Sequence, residues 1–366
     1  MNYTKFIDAR FHQDDAADIE ARLRDVLRKL KKTKLETSQK DPNAEAEATE
    51  LKFDEFEDDE ILNRADERKL IRRADLVVKR RQANSGLTHL KSDEIKQLSV
   101  LKTGARLVPP KDEAWADELA AKLHGEMPWM GYATEAAWHA LRRSARRGDA
   151  GLHLPPLVLN GPAGIGKSVW ARKLAELCKV PSCLIEVGSG SKGWRVAGLE
   201  RGWSTAAPGR PLETIIQSGI ANPIMILDEL CKMQDHTSSK GQTFSMANTL
   251  LALLEPATNQ HWECPYFRVK FDMSHVSWVM TSNDVARVAV PLRNRSTVIE
   301  LPALNMKELA NFTQREVARR GLSEQSAEAI VATLAHPISR HGYFSLRDVV
   351  RMIDRAEVLE TKPRLH

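Results

Sequence analysis

The 366-residue sequence lacks the features that mark membrane, secreted and disulfide-stabilised proteins. It contains no apolar run near the roughly 20 residues that a membrane-spanning helix needs, and its first residues contain no apolar signal-peptide stretch. Its four cysteines show no CxxC spacing, which is typical of reduced thiols rather than of a disulfide framework. We therefore expect a cytoplasmic protein that has no membrane partner.

The sequence also has little net charge and few aromatic residues. Lys and Arg number 54 against 49 Asp and Glu, which leaves a formal charge of +5, and aromatic residues make up 6% of the chain. An excess of this size permits a nucleic-acid partner but does not argue for one. The composition is otherwise that of a globular protein, and the length predicts two domains with an appendage.

The first 110 residues lack tryptophan and cysteine and contain only two of the 19 glycines. They carry 23 basic and 22 acidic side chains, so they do not form a basic tail. Apolar spacing predicts amphipathic helices over 22–34 and 60–81, separated by a polar segment at 36–50 and an acidic cluster at 54–60. We predict a charged, helical and partly flexible N-terminal region over residues 1–110, which docks a partner or a separate effector.

After residue 110, short apolar strands alternate with helical patterns. The strands are predicted at 157–159, 183–187, 224–227, 276–281 and 298–301. This alternation is typical of an α/β fold in which helices cover both faces of a parallel sheet. Three helical segments then follow, near 305–320, 323–335 and 345–359. The pattern predicts an α/β domain with preceding helices over 111–301 and an all-α lid over 302–366.

A glycine-rich loop directly follows the first of these strands. It matches the phosphate-loop pattern G-x-x-x-x-G-K-[ST] and consists of Gly161, Pro162, Ala163, Gly164, Ile165, Gly166, Lys167 and Ser168. Glycines let backbone N–H groups turn onto phosphate oxygens, and the following helix directs its positive N-terminus at them. We expect Lys167 to contact the β- and γ-phosphates and the Ser168 hydroxyl to bind Mg²⁺. The loop therefore predicts ATP and Mg²⁺ as ligands.

Two further strands end in polar residues that suit the same chemistry. One leads into Asp228 and Glu229, about 60 residues after the phosphate loop, and another leads into Asn283. At the carboxyl edge of a parallel sheet, Asp228 can hold Mg²⁺ through water, and Glu229 can orient or deprotonate the attacking water. Asn283 can hydrogen-bond the γ-phosphate or that water, and ordinary turn chemistry is the competing interpretation for this residue.

These residues and their neighbours resemble the AAA+ module of Lon-type ATP-dependent proteases. The likeness rests on residues 207–210, 228–233, 250–256, Asn259, and 267–276 running into 281–283, and it covers about residues 150–355. It implies an AAA+ P-loop NTPase fold and a homo-oligomeric ring, hexameric in this family, with ATP sites between subunits. It also implies that hydrolysis is used to pull on a polypeptide.

The resemblance further implies roles for single residues. Asn283 matches the sensor of the γ-phosphate, and Arg347 matches a second sensor on the lid. Arg295 is the better match for the arginine that acts on the neighbouring subunit's site, with Arg293 as the alternative. Trp203 falls where Lon-type rings carry an aromatic pore-loop residue that grips substrate, although the family usually has tyrosine there. The competing interpretation of Trp203 is a packed core residue.

The sequence departs from this family after the lid. Lon-type proteases continue into a Ser-Lys peptidase domain, whereas 19 residues follow Arg347 here, and no G-x-S-x-G or HExxH motif replaces that domain. We therefore expect a Lon-like AAA+ ATP hydrolase that is not a protease on its own. It would thread or remodel a protein client, in the manner of a chaperone.

Two other functions remain open. A nucleic-acid-associated AAA+ ATPase, such as a loader, a mobile-element component or a defence component, is suggested by the basic clusters at 79–81 and 142–147. Both clusters are equally explained as solvated helix ends, where cations suit the helix dipole. The third alternative is a regulatory ring whose N-terminal region only docks to another protein.

Overall fold

A computed structural model describes residues 2–11, 16–38, 62–187, 194–201, 206–233, 236–237, 243–335 and 344–361. The chain divides into two compact units, residues 8–102 and residues 1–7 with 103–366. Among the described residues, no helix is both long and apolar enough to cross a bilayer.

Helices dominate the described chain. The α-helices are α1 (Ala16–Ser38), α2 (Arg64–Ala83), α3 (Ser92–Leu98), α4 (Glu113–Glu126), α5 (Gly131–Arg147), α6 (Lys167–Cys178), α7 (Trp194–Ala197), α8 (Arg210–Ser218), α9 (Met246–Leu254), α10 (Pro256–Asn259), α11 (Val290–Asn294), α12 (Met306–Arg319), α13 (Glu324–Leu334) and α14 (Leu346–Thr361). The strands are β1 (Asn2–Thr4), β2 (Ala105–Leu107), β3 (Leu157–Asn160), β4 (Ser182–Glu186), β5 (Ile224–Asp228), β6 (His236–Thr237), β7 (Thr243–Phe244), β8 (Trp262–Cys264), β9 (Val269–Phe271), β10 (Ser277–Ser282) and β11 (Thr297–Glu300).

The unit of residues 8–102 is built on a pair of antiparallel helices, α1 and α2. Lys31 near the end of α1 pairs with Asp66 at the start of α2, while Arg10, before α1, donates its backbone N–H to Ser85, after α2. Leu70 and Ala74 form the buried apolar side of α2. The two helices predicted in this region are confirmed, although α1 is longer than predicted and α2 begins four residues later.

The second unit contains a five-stranded parallel sheet in the order β11-β3-β10-β5-β4. The central strands are covered on both faces, since Ile224, Met225, Ile226 and Leu227 of β5 are all fully buried. Near-continuous apolar runs of this kind are typical of parallel strands between two helical layers. The predicted α/β fold and all five of its predicted strands are confirmed, with shifts of one or two residues at their ends.

Residues outside the predicted α/β domain also pack in this unit. Strand β1 pairs antiparallel with β2, and the Phe6 ring lies 5.7 Å from the Phe271 ring. Phe271 belongs to β9, which forms a hairpin with β8 that the sequence pattern did not predict. Residues 1–110 therefore include two short segments, 2–7 and 103–110, whose apolar side chains are buried in the unit that contains the sheet.

The three helices α12, α13 and α14 form the predicted all-α segment after the sheet. Their buried residues include Leu309, Ile330, Val349 and Ile353, which belong to the same apolar cluster as the sheet. Helix α14 begins with a capping box formed by Ser345 and Asp348. Asp348 accepts from the Ser345 backbone N–H at 3.0 Å, and the Ser345 hydroxyl accepts from the Asp348 N–H at 3.4 Å.

Helices α4 and α5 are joined by an ion-pair network. Glu113 of α4 accepts from Arg142 at 2.6 Å and from Arg146 at 2.9 Å, and Arg142 also reaches Asp117. Hydrogen bonds from Arg146 and Arg142 lower the pKa of Glu113 to about 2. Two arginines of the basic cluster at 142–147 are thus engaged within the fold.

We expect Glu113→Gln to lower the midpoint of thermal unfolding at neutral pH. The pKa of Glu113 in the folded state lies below its ordinary value of 4.5. The stabilisation that ionised Glu113 gives to the folded state is therefore present above about pH 4.5 and is lost as the pH falls towards 2. In calorimetry, the difference in unfolding midpoint between wild type and variant should therefore become smaller from pH 7 to pH 3. Glu118→Gln, an exposed change on the same helix, is the control and should show no such narrowing. A gap that is constant with pH would contradict this assignment.

Candidate active site

The phosphate-loop residues connect β3 to α6 and lie against the lid and the segment after α4. Gly164 has φ of +77°, and a Cβ there would lie 2.6 Å from the Ser345 Cβ. Gly166 has φ of +95°, and a Cβ there would lie 2.8 Å from the Met127 Cε. Both positions therefore favour glycine for conformation, and Gly164 also for space, because the Cβ of Ser345 cannot move away as the flexible end of Met127 can. The loop is also bonded directly to the lid, because the Leu346 N–H donates to the Gly164 carbonyl at 3.0 Å.

Lys167 lies at the start of α6 with its ammonium turned back into the loop. It donates to the carbonyls of Gly161 at 2.6 Å and Pro162 at 2.8 Å, and to Asn283 Oδ1 at 2.8 Å. Burial lowers the pKa of Lys167 to about 8, and the nearby charge of Arg347 acts in the same direction. The structure thus brings Lys167 and Asn283 together, with Arg347 near enough to act on the ammonium.

Asp228 is the centre of the second group of site residues. Its Oδ1 accepts from the Ser168 hydroxyl at 2.7 Å and from the Thr281 hydroxyl at 2.5 Å. These three residues come from α6 and from the carboxyl ends of β5 and β10, which are adjacent strands of the sheet. Parallel pairing therefore places the carboxylate of Asp228 beside the end of the phosphate loop.

Glu229 follows Asp228 in an unusual backbone conformation. Its φ is +62°, in the left-handed region that costs a residue with a Cβ on the order of 1 kcal/mol. Its N–H donates to Thr281 Oγ1 at 3.1 Å, and its Oε1 accepts from Lys232 at 2.7 Å. The Thr281 hydroxyl therefore bridges the two adjacent carboxylate residues, accepting from Glu229 and donating to Asp228.

We expect Thr281→Val to reduce ATP turnover by about 10-fold or more while nucleotide binding persists. Valine keeps the shape of the buried threonine but removes both hydrogen bonds, and leaving such a group unpaired costs about 1–3 kcal/mol. The Glu229 N–H then loses its acceptor, so the carboxylate of Glu229 is held less firmly in position. The measurement is kcat at saturating ATP and magnesium. Thr281→Ser preserves both bonds and should retain activity. Equal loss in the serine variant would contradict a role for the hydroxyl.

The two candidate trans-acting arginines differ in their surroundings. The Arg295 Nε donates to Glu255 Oε2 at 2.6 Å, and both side chains are more than a third exposed, at 39% and 38%. Arg293 is only partly exposed, and its Nε is buried without a hydrogen-bond partner among the described residues. Of the two, Arg295 is the more exposed.

Arg295 lies far from the phosphate loop of its own chain. It precedes β11, whose first residue Thr297 pairs with Leu157 at the start of β3. The loop begins beyond the other end of β3, after Asn160. Four strand residues span about 13 Å, which is more than the length of an arginine side chain.

Of the three other predicted site residues, the structure places two near the phosphate loop and does not describe the third. Asn283 is exposed and contacts Lys167, and Arg347 is exposed in the first turn of α14 beside the loop. Trp203, the predicted pore-loop residue, lies outside the described residues.

The sequence pattern missed three residues around this site. Thr281 lies two residues before Asn283 in the sequence, but its link to Asp228 depends on the pairing of β10 with β5. Met127 contacts Gly166, and the Trp129 indole donates to the Ile165 carbonyl at 2.9 Å. Their segment reads as a turn-rich link between two helices, and no local signal associates it with the loop.

Part of this chain is similar to one known protein family and to several Lon proteases. Residues 157–302 match the family described as "ATPase family associated with various cellular activities (AAA)". A peroxisomal Lon protease homolog 2 of Pichia angusta is 31% identical over 218 residues, which is 57% of this chain and 23% of the relative. The Lon protease of Fusobacterium nucleatum is 30% identical over 168 residues, 46% of this chain and 21% of the relative.

The likeness is confined to part of each relative, because this chain spans about a fifth of the length of the curated Lon proteases that it matches. Among solved structures, a RuvB mutant of Thermotoga maritima aligns with a TM-score of 0.42 at 17% identity and covers 64% of each chain. The family match and the Lon relatives converge on the same segment. Residues 157–302 thus match the AAA ATPase family, and the chain is similar to Lon proteases over about half of its length.

Proposed function

We propose that this chain binds ATP and hydrolyses it to ADP and phosphate. The observation that carries the proposal is the convergence of Lys167, Ser168, Asp228 and Glu229 at one edge of the sheet. Lys167 would bind the β- and γ-phosphates, and the N–H groups of the loop would bind their oxygens. Water would attack the γ-phosphorus as the bond to the bridging oxygen breaks, and Glu229 would orient this water and accept its proton.

The residues present also fit a magnesium ion. Ser168 and Asp228 offer a hydroxyl and a carboxylate oxygen 2.7 Å apart, and Mg²⁺ prefers oxygen ligands with most positions left to water and phosphate. The ion would neutralise charge on the phosphates.

We propose further that the active site is completed by a second copy of the chain. Arg295 lies at the amino edge of the sheet, whereas the phosphate loop lies beyond the carboxyl edge, so Arg295 can act only on another molecule's nucleotide. A guanidinium supplied in trans would neutralise the transferring phosphoryl group. Repetition of this head-to-tail contact would close a ring, and the resemblance to Lon proteases favours six subunits.

The proposed client is a protein that the ring threads or remodels. The similarity to the ATPase region of Lon proteases supports a polypeptide as the client, with Trp203 as the gripping residue. Residues 1–110 would recruit the client or an effector, and the four unpaired cysteines suit a cytoplasmic setting. The regulatory-ring alternative predicts slow turnover that no client changes.

The proposed client is tested by trapping it. Glu229→Gln protein incubated with ATP should retain the client during purification, because the nucleotide is bound but not hydrolysed. Lys167→Ala, which removes the phosphate contact, should lose both nucleotide and client. Proteins recovered with the first variant and absent from the second would be identified by mass spectrometry. Equal recovery with both would contradict ATP-dependent remodelling, whereas failure of Glu229→Gln to bind ATP would contradict the nucleotide site itself.

A further inference from the structure

Helix α2 carries a dense row of cations on its solvent-facing side. The row consists of Arg64, Arg68, Lys69, Arg72, Arg73, Lys79 and Arg80, and every one of these residues is exposed. At 100° per residue they occupy about half of the helix circumference, opposite the buried Leu70 and Ala74. Asp75 is the one acidic residue in that half. We call this surface the α2 basic face.

The α2 basic face is not neutralised within the described part of the chain. None of its seven cations lies in an ion pair with a described carboxylate, whereas Arg142 and Arg146 of α5 both pair with Glu113. The two basic clusters in the sequence therefore differ physically. Arg142 and Arg146 of the α5 cluster are engaged within the fold, while the seven cations of the α2 basic face are exposed to solvent. Like charges this close on one helix repel each other, and an anionic partner would relieve that cost.

The charge of this helix pair is concealed in the composition. Helix α2 has eight basic and three acidic residues, and α1 has seven basic and four acidic. Together they carry a net charge of +8, whereas the connecting residues 39–61 have ten acidic and two basic residues. The near-zero charge of residues 1–110 is thus the sum of two opposite blocks.

The geometry of the α2 basic face points to a phosphate backbone. From Arg64 to Arg80 the helix rises about 24 Å, a length comparable to about seven phosphates of one nucleic-acid strand. Five of the seven cations are arginines, which bind phosphate oxygens through two N–H groups. Neither α1 nor α2 contains an aromatic residue on which an unpaired base could stack. These features favour a duplex bound through its phosphates.

We propose that the α2 basic face binds double-stranded nucleic acid through its sugar–phosphate backbone, without sequence preference. This function is independent of the proposed ATPase chemistry, because no residue of the face belongs to the nucleotide site. A protein client and a duplex can therefore both be ligands of one chain.

The test is duplex binding by the full chain, measured by fluorescence anisotropy without nucleotide. Labelled DNA and RNA duplexes of about 30 base pairs should bind with micromolar affinity that falls steeply between about 50 and 200 mM salt. Arg68→Gln/Arg72→Gln/Lys79→Gln should weaken binding by at least about 10-fold and reduce the log–log salt slope by about 2.7. Arg68→Lys/Arg72→Lys/Lys79→Arg retains the charge and should bind within about threefold of wild type.

The matched control removes the same charge elsewhere. Lys122→Gln/Arg143→Gln/Arg147→Gln changes three exposed helical cations outside α2 and should leave duplex affinity within about threefold of wild type. Equal weakening by the two glutamine triples would overturn the proposal, as would a wild-type chain that fails to bind either duplex at low salt. Poly-glutamate competing as strongly as duplex would also overturn it, in favour of an acidic protein partner. Preference for DNA over RNA, or the reverse, would identify which backbone is the natural ligand.

Discussion

Replacing Glu229 by glutamine is expected to lower ATP turnover by about 10²–10⁴-fold while ATP still binds. Glutamine has nearly the same size as glutamate, and the backbone hydrogen bond from residue 229 to Thr281 does not involve the side chain. The phosphate-binding residues are unchanged. What is lost is the carboxylate that orients water and accepts its proton. Phosphate release at saturating ATP measures turnover, and a fluorescent ATP analogue measures binding.

Two variants control for indirect effects at Glu229. Lys232→Ala removes the surface ion pair with Glu229, which is worth at most about 1 kcal/mol, so turnover should change by only a few-fold. Glu263→Gln neutralises an exposed glutamate on the β8–β9 hairpin and should have no effect. Unchanged hydrolysis in Glu229→Gln would show that another group activates the water, and the site assignment would then be wrong.

Replacing Arg295 by alanine is expected to lower turnover by about 10³–10⁵-fold, the range found for arginines that act in trans. Nucleotide binding should be spared, because Arg295 lies beyond the far edge of the sheet from its own phosphate loop. The fold should also be spared, since its exposed pair with Glu255 contributes little to stability. Wild-type specific activity should rise with protein concentration as assemblies form, and the variant should stay inactive at every concentration.

Arg293 provides the internal comparison for this prediction. Arg293 lies two residues before Arg295 and is partly buried. Arg293→Ala should therefore lower the stability of the fold more than it affects the proposed contact between subunits. Loss of turnover in Arg293→Ala but not in Arg295→Ala would move the trans-acting role to Arg293. A monomeric wild-type chain that hydrolyses ATP as fast as the assembly would contradict both assignments.

The fold was largely predictable from the sequence because its signals are local. Apolar strands that end in Asn160, Asp228 and Ser282 alternate with helices, and this order determines a parallel sheet. The phosphate loop is contiguous in sequence, so its pattern is recognisable without knowledge of the fold. The hairpin of β8 and β9 escaped prediction because each strand has only three residues, too few to show alternation.

The parts that could not be predicted depend on contacts between distant segments. Thr281 joins Asp228 and Glu229 only because β10 lies beside β5, and Met127 reaches Gly166 across about 40 residues of sequence. The α2 basic face was hidden for another reason. Its charge is offset by the acidic residues between α1 and α2, so the net charge of residues 1–110 as a whole is close to zero.

If one active site is built from two copies of this chain, mixing two inactive variants should restore activity. Glu229→Gln lacks the water-activating carboxylate, and Arg295→Ala lacks the arginine supplied to the neighbour. In a random mixed ring, a site that combines the intact Glu229 of one subunit with the intact Arg295 of the next should arise at about a quarter of positions. We expect recovery of about a quarter of wild-type activity on mixing equal amounts of the two inactive proteins. Co-assembly of the two variants with no recovery would contradict an active site built from two copies.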